Sequence, residues 1–220
     1  MSKPLLNDFL SQYNISKGKV LVNKMGEFDY LRKIKQIPSN VTSKYILFFG
    51  YISPYKGLEY LCEAMEEVHR QHPDVKLVIA GGGKIYFDWK PFKGKDYIIL
   101  RNHFVDLPEL AGLLHDCEFS VCPYKDATQS GVVQTAFSMG VPMIVTNIGA
   151  LPEVVKDGQN GLVVPPCDSK ALAEAIIKLL ANPQKISSMR DSIKDVWQKE
   201  MNWEPIANEY INCYQSLLKS

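Results

Sequence analysis

Five short apolar runs, each closed by Gly, Pro or Asn or by the turn that follows, constrain the fold of this chain more than any other feature. They occupy 44–50, 75–80, 97–100, 118–122 and 142–146. Each is too short for a helix and rich in β-branched or aromatic residues, so each reads as a buried strand. Between most of them the apolar residues follow helical spacing. Leu58, Leu61, Met65 and Val68 mark one such segment, and Leu107, Leu110, Leu113 and Leu114 the next. The segment 131–139 is apolar nearly all round, as a buried helix is. Strands alternating with helices predict an α/β chain with a doubly wound parallel sheet. Beyond Asn160-Gly161 the expectation is helix only. Asp168 caps one helix, Asn182-Pro183 ends it and starts another, and Asn202 caps the last, at 203–218. The first 40 residues read as a helix at 5–13, a short strand at 19–22 and a turn at Met25-Gly26. That is too little to bury a core alone.

Composition removes several function classes. Lys and Arg number 25 against 24 Asp and Glu in 220 residues. That balance exerts no long-range pull on nucleic acid, so any anion must be held by local geometry. No apolar run reaches the roughly 18 residues of a membrane span. The start turns acidic too soon for a signal peptide. The five cysteines, an odd number with no C-x-x-C, read as reduced thiols of a cytoplasmic chain. Gly83-Lys84 is followed by Ile85, which fails the P-loop pattern, and Gly81-Gly82-Gly83 fails the dinucleotide fingerprint. His69 and His72 lie three apart with no third ligand nearby, so no metal site is expected.

Three loops at predicted carboxyl ends of strands carry suitable chemistry, because doubly wound sheets bind ligands there. The first runs from Gly50 and Tyr51 to Lys56 and Gly57. A lysine at a helix start opposes the helix dipole, which makes sense if Lys56 reaches an anion; the bland alternative is a solvated surface lysine. The second, 123–133, places Thr128, Gln129, Ser130 and Gly131 at a helix N-terminus. It reads as an anion cradle or as simple capping by Thr128 or Ser130. The third holds Gly149, Ala150 and Glu153. Glu153 either accepts hydrogen bonds from sugar hydroxyls or simply favours a helix dipole.

These pieces, in this order and spacing, resemble the C-terminal, donor-binding domain of the group 1 (family 4) glycosyltransferases of GT-B fold. The resemblance runs from about Tyr45 to the end. It rests on Gly50 to Gly57, on Gly140-Val141-Pro142, on Gly149 to Glu153, on Asp157 to Gly161 and on Val164 to Asp168. It implies a Rossmann-like domain, one half of a GT-B fold, over 41–200, with a C-terminal helix at 201–220. Residues 1–40 would be a remnant of the acceptor-side domain and the interdomain segment.

The resemblance also implies roles. Lys56 would pair with the diphosphate of a UDP- or GDP-linked sugar and stabilise the leaving group, without a metal or other cofactor. The N–H groups of Ser130, Gly131 and Val132 would serve the same diphosphate. Arg101, Asn102, His103 and Phe104 would hold the base, largely through backbone groups, and Gly149, Ala150 and Glu153 would lie near the sugar. This chain departs from the family at Tyr51, where the family has Arg. It departs again at Ala127 and Thr135, where the family has two glutamates; Asp126, Gln129 and Gln134 stand one or two positions away as substitutes.

The implied function is sugar transfer from a nucleotide-sugar to a glycan or lipid-linked acceptor in cell-surface polysaccharide synthesis. It would take place in the cytoplasm or at the inner face of the membrane, with retention of configuration. The alternatives are a non-catalytic nucleotide-sugar-binding subunit, needing a separate acceptor-domain subunit, and a sugar-nucleotide epimerase. Faces normally covered by the other domain would favour self-association.

Overall fold

The computed structural model describes residues 3–126 and 130–218. Six strands form one sheet: β1 Lys44–Phe49, β2 Val75–Ala80, β3 Ile98–Arg101, β4 Ser120–Cys122, β5 Met143–Thr146 and β6 Gly161–Val164. Their order is β3-β2-β1-β4-β5-β6, and every pairing is parallel. The register is continuous, with Lys44 opposite Val75, Leu77 opposite Ile98 and Ser120 opposite Met143. The chain lays down β1 to β3 in one direction, then crosses back to lay down β4 to β6 in the other. The reversal leaves a crevice between β1 and β4, where an open α/β sheet receives ligands.

The helices are α1 Lys3–Tyr13, α2 Leu58–Gln71, α3 Leu107–Asp116, α4 Gly131–Ser138, α5 Leu151–Val154, α6 Ser169–Leu180, α7 Pro183–Ser192, α8 Gln198–Glu200 and α9 Trp203–Leu218. Strand alternation sorts the core into two layers. Ile46 and Phe48 of β1 pack with Leu61, Met65 and Ile176 of α2 and α6. Tyr45, Leu47 and Phe49 point the other way, onto Leu113, Phe137 and Trp197. Both faces are covered, which is why the strands read as continuous apolar runs rather than alternating ones. Each such side chain contributes about 1.5–3 kcal/mol on burial.

The capping expectations hold. Asp168 Oδ1 accepts the Ala171 N–H at 2.9 Å, Asn182 Oδ1 that of Lys185 at 3.0 Å, and Asn202 Oδ1 that of Glu204 at 2.9 Å. Two expectations fail. The chain is not helix only beyond residue 160, because Gly161–Val164 adds β6 to the sheet edge. A Cβ on Gly161 would fall 2.1 Å from the Met143 carbonyl oxygen, so this glycine serves a close strand approach, not only a turn. Residues 19–22 form no strand. Lys17–Lys19 is a 3₁₀ turn and Val20 is extended without a ladder partner.

The segment at 23–41 lies against α3, α4 and the start of α9. Phe28 N–H donates to Ser138 Oγ at 2.7 Å, Arg32 to the Ser138 carbonyl at 2.6 Å and Ile37 N–H to the Pro108 carbonyl at 3.0 Å. Leu31 is fully buried, and Trp203 Nε1 donates to the Glu27 carbonyl at 2.8 Å.

Candidate active site

At the crevice between β1 and β4 the structure opens a cleft of about 360 Å³. Its floor is Phe49 and Gly50, and Tyr55, Lys56 and Tyr124 form one wall. Gly50 leaves β1 at φ 99°, and its N–H donates to the Ala80 carbonyl at 2.9 Å. The chain then makes a 3₁₀ turn, Pro54–Lys56, and reverses at Gly57, with φ 64°. A Cβ there would sit 2.0 Å from the Pro123 carbonyl oxygen, so glycine is required both by conformation and by the packing of the β4 loop.

The turn buries Lys56. Its exposure is 5%, which rules out the solvated-lysine alternative. The ammonium lies 6.0 Å from the Phe48 ring centre and 5.6 Å from that of Tyr124. No carboxylate lies within ion-pair reach among the described residues. Burial lowers its pKa, opposed only by the Cys122 thiol beneath it. That thiol is itself pushed up to about 12 by burial, so it is neutral and supplies no counter-charge. A buried cation without an anion is costly unless a ligand completes it.

Opposite Lys56 stands the N-terminus of α4. Ser130, Gly131, Val132 and Thr135 line the cleft there, and Phe28 of the N-terminal segment closes it. Ser130 Oγ accepts the Val132 N–H at 3.2 Å, so the capping reading holds for that group. The Ser130 and Gly131 N–H groups have no acceptor among the described residues, and a Cβ on Gly131 would meet nothing within 4 Å. The Thr135 hydroxyl donates to the Gly131 carbonyl at 2.7 Å. Thr128 and Gln129 lie outside the described residues, and Asp126 is exposed. No Asp or Glu lines the cleft among the described residues.

Other sequence candidates fall elsewhere. Gln134 Nε2 donates to the Met25 carbonyl at 3.0 Å, which turns it toward the N-terminal segment. Tyr51 is 68% exposed. Arg101 bonds Glu109 at 2.9 Å and the Ser39 carbonyl, while His103 Nε2 lies 3.1 Å from the other Glu109 oxygen. Burial would raise Glu109, but His103 and Arg101 more than offset it and hold the carboxyl below its usual range. Asn102 Oδ1 accepts the Gly83 N–H at 3.0 Å, tying the β3 loop to the β2 loop, and Phe104 projects into solvent. Gly149, with φ 52°, and Ala150 precede α5, which carries an exposed Glu153. None of these residues lines the cleft.

The sequence reading missed four aromatic side chains in the lining: Phe28, Phe49, Tyr55 and Tyr124. Tyr55 and Tyr124 belong to loops already singled out, but only the sheet order brings those loops together. Among the described residues, no group of three or more His, Cys, Asp or Glu is placed to hold a metal ion. No helix among them is long and apolar enough to cross a membrane.

Known proteins share this fold. A sucrose-phosphate synthase from Thermosynechococcus elongatus superposes on the whole chain with a TM-score of 0.79 at 23% identity, over 58% of its own length. Anabaena HepE, solved with UDP and glucose, superposes on 94% of the chain with a TM-score of 0.77 at 18% identity, over 59% of its length. At these identities the likeness establishes the fold, one half of a GT-B architecture. An uncharacterized glycosyltransferase of Methanocaldococcus jannaschii is 30% identical over 98% of the chain, which spans 58% of that protein's length. Residues 43–182, the stretch that builds the sheet and all of the cleft lining except Phe28, match the family described as "Glycosyl transferases group 1", and the chain belongs to that family.

Proposed function

We propose that this chain binds a nucleoside diphosphate sugar in the cleft and serves as the donor-binding half of a glycosyltransferase. The observation that carries the reading is the buried Lys56 ammonium, which among the described residues has no carboxylate partner and faces N–H groups without an acceptor at a helix N-terminus. A diphosphate supplies the missing charge. As the sugar–oxygen bond breaks, negative charge grows on the leaving diphosphate, and Lys56 with the Ser130 and Gly131 N–H groups stabilises it. In this reading the charge compensation comes from these groups rather than from a metal ion. In this reading the base would rest against the β2 and β3 loops, which are held together at Asn102, and the sugar toward Gly149 to Glu153.

The finer reading is transfer to a glycan or lipid-linked acceptor in polysaccharide synthesis, in the cytoplasm or at the inner membrane face. Residues 1–40 would then belong to the acceptor side and the interdomain segment. A separate acceptor-domain subunit, or a second copy, would cover the exposed Ile211 and Tyr214 of α9. A second reading, a nucleotide-sugar-binding subunit without transferase activity, is favoured by Thr135, which puts a hydroxyl where the family resemblance expects a carboxylate.

Calorimetric titration with UDP and with GDP tests the proposal. Saturable binding of one of them is expected. Binding of neither at millimolar concentration would overturn it.

A further inference from the structure

The turn that buries Lys56 is gripped from both sides by one residue of the neighbouring loop. Lys125 N–H donates to the Tyr55 carbonyl at 2.7 Å, just before Lys56. Its side-chain Nζ lies 2.7 Å from Glu59 Oε1, three residues after Lys56. The other Glu59 oxygen accepts a hydrogen bond from the Tyr86 hydroxyl. That hydroxyl in turn accepts the Leu58 N–H at 2.9 Å, capping α2 where Gly57 offers no side chain. The Lys125 ammonium also stands 5.5 Å from the Tyr86 ring centre. Lys125 and Glu59 are mostly buried, with side-chain exposures of 30% and 17%, so solvent screens the pair less than an exposed one.

We propose that Lys125, through Glu59 and Tyr86, is a positioning residue that clips the Lys56 turn over the cleft and so fixes where the cation meets a diphosphate. The proposal rests on the reading of Lys56 as the diphosphate cation. None of the three clip residues lines the cleft, so they act through Lys56 and not on the ligand. Among the described residues, the groups facing the Lys56 ammonium are the Cys122 thiol and the rings of Phe48 and Tyr124. The clip itself adds no charge to that list, so loosening it changes Lys56 by letting water in.

The test needs no ligand at first. Trace acetylation of Lys56 in the full chain is followed across pH by mass spectrometry. In Lys125→Met and Glu59→Gln the reactivity midpoint is expected to rise toward the ordinary lysine value, and the limiting high-pH rate to grow about threefold or more. Lys125→Arg is expected to restore wild-type behaviour, and the double variant to match the singles. An unchanged midpoint and rate in Lys125→Met would overturn the proposal. Should that variant fail to fold, Tyr86→Phe and Glu59→Gln decide it by the same readout. Titration with UDP and GDP beside uridine and guanosine then separates the two claims. Wild type binding neither diphosphate overturns the functional reading, while the labelling still judges the clip. A diphosphate that binds wild type and Lys125→Met equally overturns the clip alone.

Discussion

The carboxyl ends of β1 and β3 lie along the same edge of the same sheet, each leads into basic side chains, and they treat the charge in opposite ways. At the end of β3, Arg101 meets Glu109 and the Ser39 carbonyl; in the loop beyond, His103 meets the same carboxylate and Asp106 caps α3. Every charge there is answered within the chain. After β1, Lys56 is buried deeper yet has no carboxylate partner among the described residues. Charges that are internally matched hold structure together, whereas a desolvated charge left open is a cost that binding removes. On the proposed reading, Arg101 serves the scaffold and Lys56 the ligand.

Substitution at the two positions should separate the roles. Lys56→Ala is expected to weaken binding of the favoured nucleoside diphosphate by about 2–4 kcal/mol, thirtyfold or more, in a calorimetric titration. Arg101→Met should change that affinity by less than about threefold. Equal losses would break the comparison.

Stability should respond with the opposite sign at the two sites. Arg101→Met leaves the largely buried Glu109 carboxylate with His103 as its remaining side-chain partner and is expected to cost about 2 kcal/mol, lowering Tm by about 4–8 °C in a thermal melt. Lys56→Met removes an uncompensated buried charge and should raise stability by about 1 kcal/mol, or about 2–4 °C in Tm. A Lys56→Met variant less stable than wild type would show that the ammonium has a partner within the chain.

The pH dependence sharpens the same contrast. The folded pKa of Lys56 lies below its unfolded value, so below the folded value wild type bears the full cost of the buried charge. The unfolded chain binds more protons between the two values, and wild-type stability rises with pH across that window. The advantage of Lys56→Met should therefore shrink there, as denaturant melts at a series of pH values would record. Glu109 also makes stability rise with pH, but as a benefit gained rather than a cost removed. Its folded pKa is lowered, so its contribution is present above the ordinary carboxylate value and fades as pH falls through the lowered one. The penalty of Arg101→Met should fade with it. The smallest effect belongs to Phe104→Ala: at 87% exposure the ring should contribute no more than about 0.5 kcal/mol to stability.

Much of the scaffold was legible because parallel strands buried on both faces leave dense apolar runs. β1 to β5 announced themselves that way, and Asp168, Asn182 and Asn202 marked helix starts by local chemistry alone. β6 escaped because Gly161-Leu-Val-Val is short and begins with a glycine that read as the end of a turn. Its reason, the close Met143 carbonyl, belongs to another strand. Residues 19–22 misled for the converse reason: a strand-like composition forms no strand without a sheet edge to pair with.

The cleft was legible in part: Gly50, Lys56, Ser130, Gly131, Val132 and Thr135 line it, whereas Tyr51, Arg101 and Glu153 do not. Helix-start geometry singled out Lys56, yet its burial depends on Gly57 leaving room for the Pro123 carbonyl and on Phe48 of β1 and Tyr124 of the loop after β4 converging on it. Phe28 and the clip through Lys125, Glu59 and Tyr86 left no local trace, because each joins segments tens of residues apart. The Glu109 contacts of Arg101 and His103 were equally invisible. Spacing alone does not show whether a basic side chain is already paired.

The most direct test of the open charge at Lys56 is proton uptake on binding. The favoured nucleoside diphosphate is titrated calorimetrically, just below the ordinary lysine pKa, in buffers of different ionisation enthalpy. A diphosphate that pairs with Lys56 stabilises its charged form, so wild type should take up protons on binding and Lys56→Met should not. Binding with equal affinity and equal proton uptake in both proteins would contradict the account.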